Sequence, residues 1–132
     1  MIVVRLAAVM AVIVAGGSSV ARAAEQDSVF ANPGHFEEQG GEAIYHYVCT
    51  GCHMPDGRGA AGAGAYPALA ADSRLLAAGY PVAIILHGQK AMPPLGAFLS
   101  DAQIADVVNF VRTHFGNDYP DVVTEAQVKA AR

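Results

Sequence analysis

Residues 45–57 read Tyr45-His46-Tyr47-Val48-Cys49-Thr50-Gly51-Cys52-His53-Met54-Pro55-Asp56-Gly57. The stretch holds both cysteines of the 132-residue chain, with a histidine and a methionine directly after the second. Cys49-x-x-Cys52-His53 admits several chemistries: thiol exchange, zinc, a local disulfide, or two thioether bonds to one haem with the histidine beneath its iron. Thiol exchange by such a pair belongs in a βαβ setting. A structural zinc site takes four ligands, and the chain has no second cysteine pair. A disulfide closed over two residues would be strained, and it leaves His53 unexplained. What surrounds the motif therefore decides how it is read.

Upstream, Ala43, Ile44, Tyr47 and Val48 form an i, i+1, i+4, i+5 apolar stripe, which predicts a helix from Gly41 to about Val48. Downstream, the Gly/Ala-rich run 56–65 predicts an irregular loop. A short helix is expected near Asp72–Ala77, ended by Gly79. Another is expected over Pro81–His87, with proline at its start and Gly88 at its stop. Met92-Pro93-Pro94 excludes a helix through that segment. Ser100-Asp101-Ala102-Gln103 is a capping box, and Ile104, Val107, Val108, Val111 and Phe115 follow at helical spacing toward Gly116. A second box, Thr124 to Gln127, predicts a short terminal helix. Strand signals are weak, so the expected fold class is all-α, with no setting for a thioredoxin-like pair.

The N-terminus reads as an address. Arg5 precedes the apolar run Leu6–Ala15, which is shorter than the ~20 residues that span a bilayer. Gly16, Gly17, Ser18 and Ser19 break it, and Ala21-Arg22-Ala23 suits leader peptidase. A cleaved secretory signal over residues 1–23 is expected, with an uncleaved anchor as the alternative. Loss of Arg5 and Arg22 would leave six basic against twelve acidic side chains, a net charge near −6. Such a balance disfavours nucleic acid and anionic lipid as partners. The mature chain lacks Trp and has few large apolar side chains for a core. A large apolar cofactor at its centre would resolve that shortage.

Haem accounts for these features together. Cys49 and Cys52 would anchor it, and His53 would be the proximal iron ligand. Met92, held in a non-helical loop by two prolines, is the expected second axial ligand. Met54 adjoins His53 and cannot easily reach the opposite face. A bis-histidine site through His35, His46, His87 or His114 is the alternative.

With these residues in place, the chain resembles a class I c-type cytochrome over about Gly40–Gly116. The resemblance implies a small fold of about four or five short helices around one covalent haem c, its first and last helices crossing. Residues 24–39 are then an N-terminal arm and residues 117–132 a C-terminal extension. Gly41-Glu42-Ala43-Ile44-Tyr45 resembles the family's first-helix pattern, which implies that Val107 and Phe110 face Gly41 and Tyr45. Pro67 matches the proline whose carbonyl accepts the proximal imidazole N–H. Arg74 and Lys90 are candidates to pair with a propionate. The segments Leu86–Pro94 and Leu99–Arg112 are similar to cytochromes that accompany periplasmic flavin- or quinone-dependent dehydrogenases. That likeness implies a periplasmic electron carrier rather than an enzyme. Its donor would be a dehydrogenase and its acceptor an oxidase or another cytochrome, with no stable membrane insertion after signal cleavage. A free carrier without a dedicated donor and a peroxidase-like or ligand-sensing haem protein are the other readings.

Overall fold

The helix expected over 41–48 runs on through the cysteine motif. In a computed structural model describing residues 34–62 and 64–132, α1 (Gly41–Ile44) passes into a π-helical turn (Tyr45–Cys49) and then into α2 (Thr50–His53). The expected leader, residues 1–23, and residues 24–33 of the arm lie outside the described residues. In the wide turn the Thr50 N–H reaches back to Tyr45 O, and the Thr50 hydroxyl donates to His46 O at 2.7 Å. The helix ends at Met54, whose φ is 64°. Most of the Gly/Ala-rich run is irregular, but Ala60–Ala61 (β1) pairs antiparallel with Ala65–Tyr66 (β2).

A 3-10 turn, Ser73–Leu76, stands where a short helix was expected, capped by Asp72. Gly79 does not end it. Gly79 instead opens α3 (Gly79–His87), so Pro81 sits in that helix's first turn, where its missing N–H costs nothing. Gly88 ends α3 at φ 72°. Both capping boxes are formed, at the heads of α4 (Asp101–Thr113) and α5 (Glu125–Ala131). Helix α4 stops before Phe115, which takes φ 58° outside the helix.

The packing centres on α4, with α1, α3 and α5 against it. Ile44, Tyr45, Ile104, Val108 and Val128 are fully enclosed. Gly41 lies against α4 so closely that an added Cβ would overlap Asp106 O and sit 2.6 Å from Phe110 Cβ. Phe110 thus faces Gly41 and Tyr45 as the resemblance implied. The Asp106 backbone is the other close neighbour of Gly41.

The segment 117–132 is part of this core. Asn109 brackets Val123 by two hydrogen bonds, its Nδ2 donating to the carbonyl at 2.9 Å and its Oδ1 accepting the N–H at 2.8 Å. Arg112, fully buried, donates to Leu75 O, Leu76 O and both the carbonyl and carboxylate of Asp121. At the other end, Gln103 ties the described part of the arm to α4 by donating to Phe36 O and Glu38 O. Among the described residues no helix is long and apolar enough to cross a membrane.

Candidate functional site

Positions i, i+3 and i+4 of a helix share a face, and the run through α2 turns Cys49, Cys52 and His53 toward one cavity of about 490 Å³. The loop after α3 contributes Lys90, Met92 and Pro93 to the same cavity. Leu75, Ile85, Val107 and Val111 supply apolar wall from the 3-10 turn, α3 and α4. Val107 therefore borders this space. The volume lies within the ~300–1,000 Å³ range of small-molecule and cofactor sites.

His53 is 8% exposed. Its Nδ1 lies 3.0 Å from Pro67 O, and because a carbonyl only accepts, the Nδ1 carries the proton. That leaves Nε2 as the nitrogen without a hydrogen-bond partner among the described residues. A ring fixed in this tautomer is suited to ligate a metal through Nε2. Pro67 is brought there by a tight crossing: a Cβ at Gly59 would lie 2.7 Å from Pro67 O. Gly59 N–H also donates to His53 O at 3.0 Å.

The loop bearing Met92 is set by a small antiparallel bridge. Gln89 N–H donates to Met92 O, and Met92 N–H donates to Gln89 O, each at 3.0 Å. Met92 is the one methionine lining the cavity among the described residues, and His53 the one histidine. Met54 turns away; its carbonyl accepts the Tyr45 hydroxyl at 2.7 Å. His35, His46, His87 and His114 are exposed and stand apart from the cavity. Arg74 and Lys90 both border it, Arg74 in an ion pair with Asp72 at 2.8 Å.

Burial pushes the Cys49 thiol up to about 12, with Cys52 adding to the rise. A buried thiol held neutral is a poor nucleophile for thiol exchange, which needs the thiolate. Burial likewise raises the Tyr45 phenol to about 12, with Cys49 and Asp56 contributing, so it stays a hydrogen-bond donor. The arrangement fits a large, flat, mostly apolar group carrying a metal: two thiols, an oriented imidazole, and a thioether from a separate loop. It does not resemble a four-ligand zinc site or a poised redox dithiol.

Sequence reasoning missed two supports. Asn117, 6% exposed, donates to Leu69 O at 2.8 Å and Val111 O at 2.7 Å and accepts from Asp72 N–H at 3.0 Å. It thereby fixes the Leu69–Asp72 edge of the cavity to the end of α4. Tyr80 also borders the cavity, beneath the Arg74 guanidinium at 5.9 Å. Neither lies in a motif, so no local signal distinguishes them.

Residues 37–111 match the family described as cytochrome c oxidase, cbb3-type, subunit III. The chain is similar to the cytochrome c subunit of alcohol dehydrogenase (quinone) of Gluconacetobacter polyoxogenes, with 37% identity over 105 residues, 70% of this chain and 22% of that protein. It is similar to the fructose dehydrogenase cytochrome subunit of Gluconobacter japonicus, with 35% identity over 107 residues, 68% of this chain and 22% of that protein. The chain spans about a fifth of the length of the curated relatives it matches.

Proposed function

This chain belongs to the family described as cytochrome c oxidase, cbb3-type, subunit III, and from that premise we propose that it is a one-electron carrier holding a single haem c. The observation that supports this most directly is the shared cavity, where Cys49, Cys52, His53 and Met92 converge from two separate segments. Cys49 and Cys52 would anchor the group through their sulfurs, and His53 Nε2 and Met92 Sδ would be its iron ligands. When bound, haem supplies a reversible one-electron iron couple. His53, held to Pro67 O, keeps its ligand nitrogen oriented and basic. Met92, in place of a second imidazole, would favour the ferrous state and a higher potential. The apolar walls act in the same sense, because they disfavour the additional charge of the ferric form. His53 and Met92 both holding the iron would set a carrier apart from a peroxidase-like protein, which keeps a place for its substrate.

The haem-holding domain is assigned to residues 40–116, with residues 1–23 as its export signal and the periplasm as its location. The names of its relatives support a dehydrogenase as electron donor, with an oxidase or another cytochrome as acceptor. The test is direct. The purified protein should carry haem on a denaturing gel and have no titratable thiols. Its ferric form should show the weak far-red absorption of thioether-ligated haem, retained in Met54→Ala and lost in Met92→Ala. Free thiols with no attached haem, or a band indifferent to Met92→Ala, would refute the reading.

A further inference from the structure

Met54 offers no side chain to the cavity, yet its backbone stands at a critical place. It follows His53 directly and has φ 64° and ψ 157°. That combination is nearly confined to glycine, because a Cβ there crowds its own peptide, and other residues hold it only where their surroundings over-determine it. Three hydrogen bonds do so here. Met54 N–H donates to Thr50 O at 3.0 Å, and Gly57 N–H donates to Met54 O at 3.1 Å. Both are local bonds of the helix end and the turn after it. The third is not: the Tyr45 hydroxyl donates to Met54 O at 2.7 Å from nine residues upstream. Tyr45 is fully buried, with its ring centroid 5.5 Å from that of Phe110 and 4.8 Å from that of Phe115. The strained residue beside His53 is thus tied, through one hydroxyl, to the packed crossing of α1 and α4.

We propose that Tyr45 is a positioning residue whose hydroxyl pins Met54 in its strained conformation and so aims the His53 imidazole at Pro67 O. Relaxation at Met54 would rotate the peptide that carries His53, lengthening the Nδ1–H···O bond and releasing the ring. The role is defined toward the ligand assigned under the proposed function and rests on that reading. Exchange of the His53 ring Nδ1–H with solvent nevertheless reports the hinge whatever His53 serves, and absence of covalent haem would refute the carrier reading alone.

The experiment compares that exchange by NMR in the reduced holoprotein for wild type, Tyr45→Phe and Val108→Ala. Tyr45→Phe keeps the ring and removes only the hydroxyl. Val108→Ala destabilises the core away from the hinge and controls for general loosening. Loss of one hydrogen bond raises local opening by roughly ten-fold, so Tyr45→Phe should speed Nδ1–H exchange by about that factor while Val108→Ala leaves it unchanged. Glycine at position 54 needs no clamp, so Tyr45→Phe/Met54→Gly should return exchange to near the wild-type rate. An unchanged rate in Tyr45→Phe, an equal rise in Val108→Ala, or no recovery in the double variant would overturn the proposal.

Discussion

Adding a single methyl group at Gly41 tests the helix crossing that the fold depends on. A Cβ there would sit 2.6 Å from Phe110 Cβ and 2.8 Å from the Asp106 carbonyl carbon, and would overlap Asp106 O. Carbon atoms pack at ~3.5–4.0 Å, so α1 and α4 would have to part by about 1 Å. Asp106 O belongs to the backbone of a 13-residue helix and cannot swing aside as a side chain would. Overpacking of this kind costs ~1–3 kcal/mol, and the helix preference of alanine returns at most ~1 kcal/mol, less at a first-turn position. A net loss of about 1–2 kcal/mol corresponds to a Tm lower by roughly 4–16 °C in a domain of this size. Gly51→Ala is the internal control. Gly51 is also helical, but a Cβ there meets nothing within 4 Å. Gly51→Ala should therefore gain ~0.5–1 kcal/mol and melt a few degrees higher. Thermal unfolding of both holoproteins by circular dichroism decides the matter. A Gly41→Ala variant that melts at or above the wild-type temperature would refute the close crossing.

Two further perturbations probe the cavity loop and the tail. Gly88 combines φ +72° with a close approach, a Cβ there falling 2.6 Å from Met92 O and 2.8 Å from Pro94 N. Gly88→Ala should cost about 2 kcal/mol or more and weaken the far-red band by displacing Met92; an unaltered spectrum would argue against that coupling. Arg112→Ala would strand the carbonyls of Leu75, Leu76 and Asp121, at a cost of about 3 kcal/mol in chemical denaturation. The hydrogen bond from Arg112, helped by its charge, holds the Asp121 carboxyl below the usual carboxylate range. A folded-state pKa lowered in this way contributes stability above the unfolded pKa and loses it as pH falls through the folded one. Asp121→Asn should therefore flatten the acid limb of a stability–pH profile, and superimposable acid limbs would refute the pairing.

The parts of this fold legible in sequence are those whose physics is local. Each capping box joins residues three apart, and both form as read. Gly88 and the paired prolines mark the loop holding Met92 for equally local reasons. Where the reading strayed, distant packing was involved. Gly79 is punctuation in a sequence, but here it starts a helix. The π turn depends on Thr50 N–H choosing Tyr45 O, which no residue spacing announces. Residues 117–132 carried one clear signal, the box at Thr124. Their docking depends on Asn109 and Arg112, polar residues on a helix that a sequence pattern assigns to solvent.

Which groups are available can be read from the chain alone: two thiols and a histidine at helical spacing, and a methionine in a segment that prolines keep out of a helix. Covalent spacing and helix periodicity suffice for that, because both are properties of a few adjacent residues. The sequence and its resemblance already favoured Met92 over Met54, Pro67 beside His53 and Phe110 beside Gly41. The tertiary structure brings Met92 to the cavity, sets Pro67 O 3.0 Å from His53 Nδ1, and adds Asp106 to Phe110 against Gly41. Those outcomes join residues fourteen to about seventy positions apart, and they follow from how whole helices pack, which no short window of sequence contains.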